Sequence, residues 1–149
     1  MTRESNINER KLEALLDAIA HLRGWTNPDS ECYQIKNPLM IKSFALPGKH
    51  EITGEGLRVF QSSLAGMKAG LFDLGLKVTG QSRAGLKPDD KLANLLRVYG
   101  LTERLAQQQV VRYLKRALKD EGISPETPLA YFRKEAEKSP FSGQEIVND

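Results

Sequence analysis

Apolar residues recur with the helical period over most of this chain. Leu12, Leu15, Leu16, Ile19 and Leu22 fall three or four residues apart and predict a first helix over about 9–23. Asn6 followed by Glu9 matches a capping box at its start, and Gly24 stands where a C′ residue ends such a helix. A second set, Leu64, Met67, Leu71, Leu74 and Val78, predicts a helix with Ser62 or Ser63 as its N-cap. Leu92, Leu95, Leu96 and Tyr99 predict a third over about 90–99. Val110, Val111, Leu114, Ala117 and Leu118 predict a fourth, opening at Thr102 and ending before Gly122. "SPETPLAYFRKEAEK" predicts a last helix capped by Ser124 or Thr127, each followed by a proline.

The helical pattern fails between the first and second helices. Pro28, Pro38 and Pro47, with Gly24, Gly48, Gly54 and Gly56, break up residues 24–61. The short runs "MIKSFAL" and "GLRVF" predict a small β-hairpin near residues 40–60. A long irregular segment inside a small domain is commonly where function sits. The expected architecture is mostly α (α+β) in one domain over residues 1–149, with a polar lead-in at 1–8 and a flexible tail at 139–149.

Gly66, Gly70 and Gly75 lie inside the second helix, where each glycine costs roughly 1 kcal/mol against alanine. Close approach of a neighbouring helix is the simplest offset, so Gly66 and Gly70 are expected to face one. Membrane pairing through these glycines is ruled out by Lys68, Asp73 and Lys77 in the same run.

Composition then removes whole classes of function. The chain is 40% hydrophobic and 28% charged, with a net charge of +3, which suits a soluble globular protein and is too weakly basic to mark a nucleic-acid binder. Cys32 is the only cysteine, so no internal disulfide forms. His21 and His50 make no ligand spacing with it, and neither metal nor cofactor is expected. No apolar signal core or membrane span is present, which makes the cytoplasm the default expectation, with non-classical export or a phage particle as the other routes. The densest cations, Arg112, Lys115, Arg116 and Lys119, share the fourth helix, where a solvated face is expected and phosphate contact is the alternative.

One residue does not fit its surroundings. At about 100° per residue, Arg23 stands about three turns plus 20° from Leu12, and so projects within the apolar stripe of the first helix. A cation at a helix C-terminus with its stem laid on apolar surface is one account. The other is that the stripe ends at a cleft that residue 23 faces. Trp25, Tyr33, Phe44 and Phe60 gather in the irregular segment that follows, and Tyr99 ends a later helix.

The order of these features resembles lysozyme-like, peptidoglycan-degrading transglycosylase domains. "AIAHLRGWTNPDSECYQIKNPLMI" is similar to their opening, where a helix ends in an acid before Gly-aromatic and an Asn-Pro loop follows. "LRVFQSSLAGMKAGLFDLGLKVTGQSRAGL" resembles their later part, an aromatic strand end leading into a Gly/Ala-rich helix and a Gly-x-Ser turn, and "DDKLANLLRVYG" the helix after it. The resemblance spans residues 12–103. It implies a catalytic glutamate at the end of the first helix, where a carboxylic acid of raised pKa protonates the leaving oxygen. Arg23 occupies that position, and an arginine has no proton to give away. The family's Asn-Pro-Gly-Asn loop reads Asn37, Pro38, Leu39, Met40 here.

The expected function is therefore a catalytically degenerate lysozyme-like domain that binds peptidoglycan, another glycan or a partner protein, with Arg23, Trp25, Tyr33, Asn37 and Tyr99 at the binding site. An active glycosidase or transglycosylase with a relocated acid is the enzyme alternative. Glu31, Glu51 and Glu55 are its weak candidates, and the sequence pairs none of them with a second carboxylate. A small helical nucleic-acid binder using the fourth-helix cations is the third reading. If residue 23 borders a solvent-filled groove, Arg23→Glu is expected to cost only about 0.3–1 kcal/mol.

Overall fold

The computed structural model describes residues 7–42, 51–81 and 85–133. The described chain is mostly helical, with one two-stranded antiparallel sheet. In chain order the elements are α1 (Glu9–Leu22), α2 (Glu31–Gln34), β1 (Glu51–Ile52), β2 (Arg58–Val59), α3 (Ser63–Val78), α4 (Leu92–Val98), α5 (Arg104–Leu118) and a 3₁₀ turn (Leu129–Phe132). No described helix is long and apolar enough to cross a membrane.

α1 is the central element and packs mainly against α5 and α3. Its inward residues Leu12, Leu15, Leu16 and Ile19 bury with Leu74 and Val78 of α3, Leu95 and Leu96 of α4, and Val110 and Leu114 of α5. Leu129 and Phe132 close the core from the 3₁₀ turn. Asn8, not Asn6, caps α1, its side chain accepting from Lys11 N at 3.2 Å; Asn6 lies outside the described residues. A hairpin is present in the expected region, but its first strand is Glu51–Ile52 and not "MIKSFAL", of which residues 43–46 lie outside the described residues. Ile52 pairs with Arg58 across a turn that Gly56 takes at φ 86°, and Lys42 bridges to Leu57 on the far side.

Three helices end in the same way. Gly24 after α1, Gly80 after α3 and Gly100 after α4 adopt φ of 93°, 78° and 85°. In each case the glycine N–H and the next N–H bond back into the last turn: Gly24 to His21 O and Trp25 to Ala20 O after α1, and Gly100 to Arg97 O and Leu101 to Leu96 O after α4. This paired arrangement satisfies carbonyls that a helix end leaves open, and it needs a residue that tolerates positive φ.

Some expected elements differ. α4 and α5 are shorter at both ends than the expected bounds of 90–99 and 102–121. α5 stops at Leu118 because Lys119 turns to φ 53°. Leu64, within the apolar period of α3, is 66% exposed and outside the core. The helix expected from Ser124 onward is only the 3₁₀ turn, and residues 134–138 lie outside the described residues. Ser124 and Thr127 bond to each other, with Ser124 N donating to Thr127 Oγ1 at 2.9 Å. The adjoining backbone serves α4. Leu92 N donates to Thr127 O at 2.7 Å and Ala93 N to Pro125 O at 3.0 Å, filling two donors that a helix start leaves free.

Gly66 and Gly70 both meet close neighbours, but different ones. A Cβ at Gly70 would lie 2.9 Å from Leu16 Cδ1, so this glycine does face α1. A Cβ at Gly66 would lie 1.8 Å from Lys36 O, so Gly66 faces the backbone of the Asn-Pro loop instead of a helix.

Candidate functional site

The end of α1 is folded into a compact corner. Gly24 reverses the chain, and Ser30 Oγ donates to Gly24 O at 2.6 Å while capping α2 through Tyr33 N. The buried thiol of Cys32 donates to Arg23 O at 3.3 Å. These bonds bring residues 25 and 33 together. The Trp25 and Tyr33 rings lie 6.4 Å apart, tilted by 60°, and both side chains are half-buried. Lys36 Nζ stands 4.3 Å from the centre of the Tyr33 ring, a cation on an aromatic face.

Arg23 is half-buried and points inward, as its phase on α1 predicts. Its Nη2 donates to the carbonyl of Tyr99, the C-cap of α4. The guanidinium thus closes the negative end of a different helix from the one that carries it. Its Nε–H is buried without a partner among the described residues. Burial pulls the Arg23 pKa below the usual arginine range, against opposing effects of Cys32 and Tyr99. Even so, a guanidinium stays charged at physiological pH.

Tyr99 links this corner to α3. Its hydroxyl donates to Asp73 Oδ2, which also accepts from Lys77 Nζ at 2.8 Å. The Lys77 ammonium lies 5.0 Å from the Tyr99 ring centre. Burial, then the Asp73 carboxylate, pushes the Tyr99 phenol well above its usual range. Asp73 is 3% exposed and is the one buried carboxylate among the described residues. In the sequence Asp73 and Lys77 stand out only as polar interruptions of α3. Their i,i+4 spacing on a glycine-bearing helix was the available signal.

The Asn-Pro loop is structural in its chemistry. Asn37 is 1% exposed. Its Nδ2 donates to Ile41 O at 3.0 Å and Arg58 O at 2.9 Å, and its Oδ1 accepts from Ile41 N at 3.0 Å. Both amide hydrogens are thereby used, and Asn37 offers a ligand nothing. Asn37→Ala is expected to cost about 2 kcal/mol, because it removes three hydrogen bonds and leaves the Ile41 N–H without its acceptor in a closed loop; urea unfolding measures it. Leu39 is a core residue lying over Gly70, and Met40 sits at φ 55°, where an asparagine is less strained.

The other candidates stay apart from this corner. Glu31 opens α2, Glu51 lies in β1 and Glu55 in the hairpin turn, and all three are exposed. Phe44 lies outside the described residues, and Phe60 packs against the core. No cluster of three or more His, Cys, Asp or Glu among the described residues is arranged to hold a metal ion. No protein-family model matches the chain, and neither a curated protein nor a solved structure does.

Proposed function

We propose that this chain is a lysozyme-like, transglycosylase-type domain that binds a glycan strand without cleaving it, through the corner at the end of α1. One observation carries the reading. The residue in the position of the family acid is a cation anchored to the Tyr99 carbonyl, and it stands directly before a half-exposed aromatic pair. Arginine cannot protonate a leaving oxygen. Trp25 offers an apolar ring face of the kind on which sugar C–H groups lie, and Lys36, seated over one face of Tyr33, is a hydrogen-bond donor next to it. The carboxylates that could replace the acid support turnover poorly. Glu31, Glu51 and Glu55 are exposed, and Asp73 is held by Lys77 and Tyr99.

Co-sedimentation with insoluble peptidoglycan tests this. The parent chain is expected in the pellet with no soluble sugar released, and Trp25→Ala is expected to weaken retention about tenfold, the usual consequence of losing one aromatic anchor. Retention that is unchanged in Trp25→Ala moves the site elsewhere. Retention only on DNA or RNA, falling steeply with salt, transfers the function to the α5 cations.

A further inference from the structure

The corner at the end of α1 leaves the cations of α5 unexplained. α5 carries Arg104, Arg112, Lys115 and Arg116 and no acid. Arg112, Lys115 and Arg116 lie in its C-terminal half, which suits the helix dipole, but this does not explain the pocket that two of them line. Gln108, Val111, Arg112 and Lys115 follow the spacing i, i+3, i+4, i+7 and share one face of the helix. That face and residues 123–125 border an open surface depression of about 430 Å³.

The lining divides by chemistry. Val111 and Ile123 are buried and, with Pro125, form an apolar floor. Gln108, Arg112, Lys115 and Ser124 supply polar groups, and no acid lines the pocket. Two of the acids nearby, Asp120 and Glu126, are engaged elsewhere. Asp120 accepts from Gly122 N at 2.9 Å and from the Tyr131 hydroxyl at 2.8 Å, and these bonds hold its carboxyl below the usual range. Glu126 pairs with Lys91 at 2.6 Å. Among the described residues neither Arg112 nor Lys115 has an ion-pair or hydrogen-bond partner. Two like charges three residues apart on a helix repel one another, and an anion held between them removes that repulsion. Arginine is also the side chain best shaped for two-pronged binding of a planar or tetrahedral oxyanion.

We infer that this pocket is an anion-binding site that takes the phosphate or carboxylate of a small ligand, with the ligand's apolar body on Val111, Ile123 and Pro125. It shares no residue with the corner at the end of α1 and stands independently of glycan binding.

Nuclear magnetic resonance titration of the ¹⁵N-labelled full chain tests it, with phenyl phosphate and benzoate as probes at constant ionic strength in chloride. Saturable shifts are expected at the amides of Gln108, Ile123 and Ser124. The probe that saturates at lower concentration identifies which oxyanion the site prefers. Arg112→Gln and Lys115→Gln are each expected to weaken binding about tenfold or more, the loss of one charge-assisted hydrogen bond. Arg116→Gln, an exposed cation of the same helix outside the pocket, is expected to leave binding unchanged. No saturable shift with either probe overturns the inference. So does an equal loss in all three variants, which marks only the general field of α5, or binding indifferent to both Arg112→Gln and Lys115→Gln.

Discussion

Gly66→Ala is expected to lower the melting temperature by about 10 °C or more, the largest effect of a methyl group added at any of the described glycines. The new Cβ would stand 1.8 Å from Lys36 O and 2.9 Å from its carbonyl carbon. Both are backbone atoms, and neither can rotate aside. The loop that carries them is held in place: Asn37 N bonds to Cys32 O, and the Asn37 side chain ties Ile41 to Arg58. Accommodation therefore requires residues 36–38 to lift from α3. That puts the cost at the upper end of overpacking, about 3 kcal/mol or more, and each kcal/mol corresponds to about 2–4 °C in a domain of this size. Gly70→Ala provides the contrast. Its Cβ would meet Leu16 Cδ1 at 2.9 Å, a side-chain end that can turn, and alanine gains about 1 kcal/mol of helix propensity. Its melting temperature is expected within a few degrees of the parent. Gly54→Ala meets nothing within 4 Å and serves as the neutral control. Equal melting of the Gly66 and Gly70 variants contradicts the seating of the Asn-Pro loop on α3.

Arg23→Glu is expected to destabilise the fold by about 3 kcal/mol in urea unfolding, several times the cost that an exposed helix end would give. The substitution removes a charge-assisted hydrogen bond to Tyr99 O, worth about 1.5–3 kcal/mol. It also places a carboxylate, which only accepts, beside a carbonyl at the negative end of α4. Arg23→Lys keeps the charge and is expected to lose less. The acid that the lysozyme-like resemblance implies therefore cannot be placed at this position without loss. Placing at residue 39 the glycine that the resemblance implies adds to it, because Leu39 is fully buried over Gly70, and deleting such a side chain costs about 3–5 kcal/mol more. A protein carrying both changes is expected to be largely unfolded at room temperature. Arg23→Glu unfolding within about 1 kcal/mol of the parent would show that the guanidinium is not anchored, and that residue 23 borders open solvent.

Much of this was legible in the chain. The period of Leu12, Leu15, Leu16 and Ile19 located α1 and placed Arg23 on its inner side, because helical phase is fixed by geometry. The partner of Arg23 was hidden, since it is a backbone carbonyl, and every residue has one. The glycines of α3 announced close packing, but whether a helix or a loop lay against them depends on tertiary contacts that glycine does not encode. Asp73 stood out only as a polar interruption of α3, since carboxylates are rarely buried. Its burial rests on Lys77 one turn away and on Tyr99 from another helix, and only the first is visible in local spacing. Residues 124–132 carried good cap and proline signals. Their backbone donors and acceptors went to the start of α4 instead, a competition that local propensity does not register.

The central claim is binding without cleavage at the end of α1, and isothermal titration calorimetry with a soluble peptidoglycan glycan fragment tests it most directly. The account predicts a saturable isotherm, with the heat returning to baseline after every injection and the signal weakened about tenfold in Trp25→Ala. A sustained heat flow after each injection, the signature of continuing turnover, would contradict it, as would the absence of any saturable heat.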